Sequence, residues 1–75
     1  MTLYNFKILS REEQLSILWD KGKHLDSMIY KNQRLSLYAL DRFFIELTYN
    51  VDSNKITDLR TFKHGVIANK WMFLK

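Results

Sequence analysis

The chain has no cysteine, no proline and only two glycines, Gly22 and Gly65. Without cysteine there can be neither a disulfide nor a thiolate metal ligand, which fits a reducing compartment. Without proline, low-complexity stretches or a repeating interval, nothing marks a linker, so residues 1–75 read as a single small domain. No run approaches the roughly 20 apolar residues of a membrane span, and residues 1–7 lack the charged start and long apolar centre of a signal peptide. A cytoplasmic location with no membrane partner is therefore expected. The chain also lacks any spacing typical of a metal, phosphate or nucleophile motif, so no cofactor, metal site or catalytic residue is assigned and the expected role is not enzymatic.

What the chain does have is apolar content with a short period. Hydrophobic residues make up 47% of it, too many for a disordered chain. From Leu35 to Val51 the odd positions are almost all apolar (Leu35, Leu37, Ala39, Phe43, Ile45, Leu47, Tyr49), while Ser36, Arg42, Glu46, Thr48 and Asn50 fall on even ones. Successive side chains of a strand point to opposite faces, so this period of two marks an antiparallel sheet with one buried face. Strands are expected over residues 24–30, 33–39 and 43–50. The connection between the second and third decides whether their odd residues share a face. A three-residue loop that pairs Ala39 with Phe43 and Leu37 with Ile45 keeps the odd set together, and it asks for a left-handed residue at Arg42.

Ahead of the strands, Ser10-Arg11-Glu12-Glu13 has the form of a capping box, which starts a helix over residues 11–21. Leu15, Leu18 and Trp19 form its apolar stripe, with Trp19 expected as a core anchor, and Gly22 as a left-handed stop. Leu3, Tyr4, Phe6, Ile8 and Leu9 are too apolar for a free tail and are expected to cover the sheet or a partner. After the third strand, Asn50-Val51-Asp52-Ser53-Asn54 is rich in side chains that bond their own backbone, which marks a turn. A fourth strand over 55–62 then pairs Tyr49 with Ile56 and Phe43 with Phe62. That register puts Asp58 and Arg60 on the apolar face, a conflict relieved by an edge position, a bulge or pairing of the two charges. Beyond Gly65, Ile67, Trp71 and Leu74 suit a short final helix, and Asn69-Lys70 suits a hairpin tip equally well. The fold class is thus α+β: an N-terminal helix, an antiparallel meander of three or four strands, and a short C-terminal helix or hairpin.

The stretch Leu35-Ser36-Leu37-Tyr38-Ala39-Leu40-Asp41-Arg42-Phe43-Phe44-Ile45-Glu46-Leu47-Thr48-Tyr49-Asn50, followed by Ser53-Asn54-Lys55-Ile56 and Leu59-Arg60-Thr61-Phe62, resembles a group of small uncharacterised bacterial proteins. The resemblance spans residues 19–62. It departs at Arg42, where the group tends to have glycine, and after Phe62, where a basic ending replaces an acidic one containing proline. It implies a fold and no activity.

Two features bear on partners. Residues 1–54 balance seven Lys or Arg against seven Asp or Glu, whereas Lys55, Arg60, Lys63, Lys70 and Lys75 face only Asp58. Lys55, Arg60, Lys63 and Lys70 are therefore the candidate contacts for an anionic partner, and a nucleic-acid-binding module is the alternative function. On the even side of the sheet, Tyr38, Leu40 and Phe44 make a crowded apolar set that needs cover from this chain or from a second subunit. A chain this short buries only about 60% of its unfolded surface, so a shared core is an efficient remedy. The expected role is a small interaction or structural protein, a homodimer or a partner of another protein, with Tyr38, Leu40 and Phe44 at its interface. His24 and His64 stand apart from any ligand partner, and Glu46 is expected to be solvated or salt-bridged to Arg34 or Arg42.

Overall fold

Two helices precede four strands in a computed structural model that describes residues 1–63. They are α1 (Leu3–Lys7), α2 (Arg11–Lys21), β1 (Lys23–Tyr30), β2 (Gln33–Leu40), β3 (Phe43–Asn50) and β4 (Lys55–Lys63). The strands form one antiparallel sheet in the order β1-β2-β3-β4, so β1 and β4 are its edges. The expected C-terminal helix or hairpin lies outside the described residues. Among those described, no helix is long and apolar enough to cross a membrane.

The capping box forms as the sequence indicates: the Glu13 N–H donates to Ser10 Oγ at 3.2 Å, and the Ser10 N–H donates to Glu13 Oε1 at 3.0 Å. α1 has no such box and is one turn long, too short for periodicity to reveal. Thr2 caps it by accepting from the Asn5 N–H at 3.1 Å. The turn carries Phe6 into the core, where its ring stands 5.4 Å from that of Phe43. Gln14 Nε2 donates to the Phe6 carbonyl at 2.9 Å and ties the two helices together.

Gly22 differs from expectation. Its backbone is extended (φ −72°, ψ 145°) rather than left-handed, so its value is space. A Cβ there would stand 2.6 Å from both the carbonyl oxygen and Cδ1 of Leu18, the residue by which α2 enters the core.

The connection between β2 and β3 is also different. It has two residues, Asp41 and Arg42, and Leu40 pairs with Phe43, Tyr38 with Ile45 and Leu37 with Glu46. Asp41 takes the left-handed φ of 52°, and Lys31 does the same at φ 58° at the start of the two-residue loop between β1 and β2. Short hairpin loops of this kind match the twist of their strands, and Asp accepts positive φ more readily than most residues. The Met1 ammonium holds the loop through Asp41 at 2.7 Å. The outcome is that the even residues of β2 join the odd residues of β3 on one face. Phe6, Leu18, Leu40, Phe43, Ile45 and Leu47 form the main core there, with Leu15, Ile17 and Tyr38 packed against it. Leu35 and Leu37 share the opposite face with Met28 and Phe44.

The β3–β4 connection keeps its expected residues, 51–54, and Tyr49 pairs with Ile56. Asn50 Oδ1 accepts from the Ser53 N–H at 2.9 Å, and Asn54 takes the left-handed φ of 59°. A bulge follows at once, since Thr48 pairs with Asp58 and leaves Thr57 without an opposite residue. The extra residue reverses parity along β4. Phe62 therefore pairs with Phe44 rather than Phe43, and Asp58 and Arg60 turn away from the main core. The charge conflict in the sequence is relieved by all three devices together: β4 is an edge, it is bulged, and Arg60 Nε binds Asp58 Oδ2 at 3.0 Å.

Candidate functional site

Among the described residues, each face of the sheet carries a concave region. On the helix-bearing face the strands contribute cross-strand rows, and the row farthest from the β2–β3 loop runs Ile29, Arg34, Tyr49, Ile56. Beside it lies a cleft of about 230 Å³ lined by Arg34, Ser36, Tyr38, Leu47, Tyr49 and Ile56, with Trp19 of α2 on its rim. Trp19 is 57% exposed and Ile29 66% exposed. Trp19 is thus a rim residue, and the core anchor of α2 is its neighbour Leu18. The Trp19 ring meets Tyr38 edge-on at 5.9 Å, and His24 meets the same tyrosine at 5.2 Å. Burial among these rings pushes the Tyr38 phenol above its ordinary range, because the charged form is poorly solvated there.

On the second face a cavity of about 490 Å³ crosses all four strands. Met28, Tyr30, Gln33 and Leu35 line it from β1 and β2, and Glu46, Thr48, Thr57, Asp58 and Arg60 from β3 and β4. Glu46 is 1% exposed, so it is neither solvated nor beside Arg34 or Arg42: Arg34 lies on the other face and Arg42 in the loop, while Arg60 is its cross-strand neighbour. The Asp58 carboxyl is held below its usual range, chiefly by the hydrogen bond from Arg60 and also by the Leu59 N–H. The bulge is what brings Asp58 and Arg60 to this cavity.

The fold does not bring the residues expected at an interface onto one face. Tyr38 and Leu40 lie on the helix-bearing face, where Leu40 is buried in the main core, and Phe44 points to the second face. Their separation follows from the two-residue loop. The basic residues are divided as well. Lys55 and Lys63 stand at opposite ends of β4, roughly 26 Å apart at about 3.3 Å per residue, and Arg60 is committed to Asp58 on the second face. Lys70 lies outside the described residues. Sequence reasoning missed the Glu46–Asp58–Arg60 grouping, because only the bulge reveals it. It also missed the Ile29-to-Ile56 row, because that depends on the loop parity.

Among the described residues no group of three His, Cys, Asp or Glu side chains could hold a metal ion. No protein family, curated protein or solved structure matches the chain.

Proposed function

We propose that the chain is a small non-enzymatic interaction protein that self-associates through the part of its sheet left open by the two helices. One observation carries the reading: Trp19, more than half exposed, lines a cleft with Leu47, Tyr49 and Ile56, and Ile29, also more than half exposed, stands in the same cross-strand row as Arg34, Tyr49 and Ile56. Large apolar groups are normally spent on a core, and a group of them with a polar rim marks an interaction surface. At about 230 Å³ the cleft is smaller than the roughly 300–1,000 Å³ of ordinary ligand pockets and suits a partner side chain better. A second copy supplies that side chain, since a twofold contact lets Trp19 of each subunit meet the cleft of the other. Association also adds buried apolar area to a 75-residue chain that has little core of its own. The cytoplasm is the setting we propose, since a chain without cysteine needs no oxidising compartment to fold.

Sedimentation at micromolar concentration tests this. The expected mass is twice the 9.1 kDa of one chain, falling to a single chain in Trp19→Ser and in Ile29→Lys with an unchanged far-ultraviolet spectrum. A wild-type mass of one chain contradicts self-association, and a dimer indifferent to both substitutions moves the interface elsewhere.

A further inference from the structure

The two outer strands share a construction that the face contact leaves unexplained. Lysine and aspartate occur in β1 and β4 and in neither inner strand, where the charged residues are Arg34 and Glu46. Within each outer strand one residue has nothing opposite it, Leu25 in β1 and Thr57 in β4, and the next residue is an aspartate, Asp26 or Asp58. Both aspartates fold back on their own strand. Asp26 Oδ1 accepts from the Ser27 N–H at 2.8 Å, and Asp58 Oδ1 accepts from the Leu59 N–H at 2.9 Å, while Arg60 holds the other oxygen of Asp58. The hairpin fixes which way these groups point. Tyr30 and Gln33 flank a two-residue loop as a hydrogen-bonded pair, so Met28 and Tyr30 turn their backbone groups to β2, and Ser27 and Ile29 turn theirs to the open side. The Ser27 N–H is one that an added strand would need, and it is already taken.

We propose that the bulge and the aspartate after it close each edge of the sheet to strand addition, so that neither a second copy nor another extended segment lengthens it. An open edge is a row of unpaired N–H and C=O groups, and bulges and charges are the usual means of spoiling it. The bulge interrupts the even spacing of that row and leaves regular runs only over residues 26–30 of β1 and 58–63 of β4. The carboxylate takes the first outward N–H of each run and sets a negative oxygen where an incoming carbonyl oxygen would lie. Pairing there means breaking a charge-assisted bond and burying the carboxylate that made it. Lysines mark the ends: Lys23 opens β1 and Lys31 follows it, and Lys55 opens β4 and Lys63 closes it. Closure matters most at β1, where Ile29 and Tyr30 are both more than half exposed and would welcome an apolar strand.

The test compares two double variants of the full chain, Asp26→Ala with Asp58→Ala and Asp26→Asn with Asp58→Asn. Both remove the same two charges, but asparagine keeps a side-chain oxygen that accepts the N–H. In sedimentation at micromolar concentration the alanine pair is expected to grow past the wild-type mass into a range of larger species that bind thioflavin T and keep the native far-ultraviolet spectrum. The asparagine pair is expected to stay at the wild-type mass. Equal growth in both pairs, growth in neither, growth only after the native spectrum is lost, or such species in the wild type overturns the proposal. Growth is counted from the mass the wild type shows, one chain or two, which keeps this result separate from that of the face contact. Amide exchange in the wild type tests the same caps without substitution. Corrected for intrinsic rates, Leu59 is expected to exchange several-fold more slowly than Thr61, the next outward N–H of β4, and equal rates overturn the proposal.

Discussion

The two faces of the sheet come from the same strands and treat charge in opposite ways. On the helix-bearing face, Ile45 and Leu47 of β3 meet Phe6 and Leu18 of the helices, and the fully buried side chains there among the described residues are apolar. On the second face, the residue between those two, Glu46, is equally buried, with Thr48 beside it and the Asp58–Arg60 pair on the next strand. Adjacent positions in one strand thus face an oil-like interior on one side and a polar one on the other. The difference shows what each helix contributes: α1 and α2 bring hydrocarbon alone, and polar groups remain where neighbouring strands can supply charges and hydrogen bonds.

The sharpest way to break this contrast is to exchange the characters of Ile45 and Glu46. Ile45→Glu places a carboxylate among Phe6, Leu18 and Phe43 with nothing to pair it, and a loss of more than about 4 kcal/mol is expected, enough to unfold so small a domain. Glu46→Leu removes one member of a bonded polar group and is expected to cost less, about 1–3 kcal/mol for the partner left unsatisfied. Urea denaturation of both variants checks the pair, and similar large losses in the two would mean that the faces are not different in kind.

Gly22→Ala probes how closely α2 is set onto its face. The new Cβ would overlap the Leu18 carbonyl, so Leu18 must shift in the core, at a cost of about 1–3 kcal/mol in the same assay. An unchanged midpoint would show that the α2–β1 junction gives way freely.

The smallest effects come from titration. Asp58 has its carboxyl lowered by Arg60, so its contribution is present above the ordinary carboxylate range and is lost as pH falls through the depressed value. The same sign holds for Asp41, lowered by the hydrogen bond from the Met1 ammonium, and for Glu13, lowered by the Ser10 backbone N–H. Tyr38 has its phenol raised by burial, so its contribution is full below about pH 10 and is lost as pH rises through the raised value. Thermal midpoints recorded against pH should fall slightly below about pH 4 and again above about pH 10. Asp58→Asn should lessen the acid fall and Tyr38→Phe the alkaline one. A Tyr38→Phe variant with an undiminished alkaline fall would place that titration elsewhere.

Local chemistry was legible where a few neighbouring residues settle the matter. The capping box sets the start of α2, the period of two sets the bounds of β3, and the Asn-rich turn sets the 51–54 connection and the Tyr49–Ile56 pair. Legibility ended where one residue more or less reverses a face. β2 has Leu35 and Leu37 on one side and Tyr38 and Leu40 on the other, and with both sides covered its alternation cannot choose a register. The choice passed to Asp41, whose readiness for positive φ closes the loop in two residues and splits Tyr38 and Leu40 from Phe44. Trp19 and Leu18 are both compatible with the helical stripe, and only the angle of α2 on the sheet determines which of them is buried. The candidate sites share this dependence, since each is assembled across strands from residues that sequence spacing does not associate.

Cross-strand Hα–Hα contacts in β2 and β3 test the central claim most directly. Closure by Asp41 and Arg42 alone predicts a strong contact between Leu37 and Glu46 and another between Leu35 and Thr48. Contacts from Leu37 to Ile45 and from Ala39 to Phe43 would mean a three-residue loop, exchange the partners of the two faces, and contradict the account.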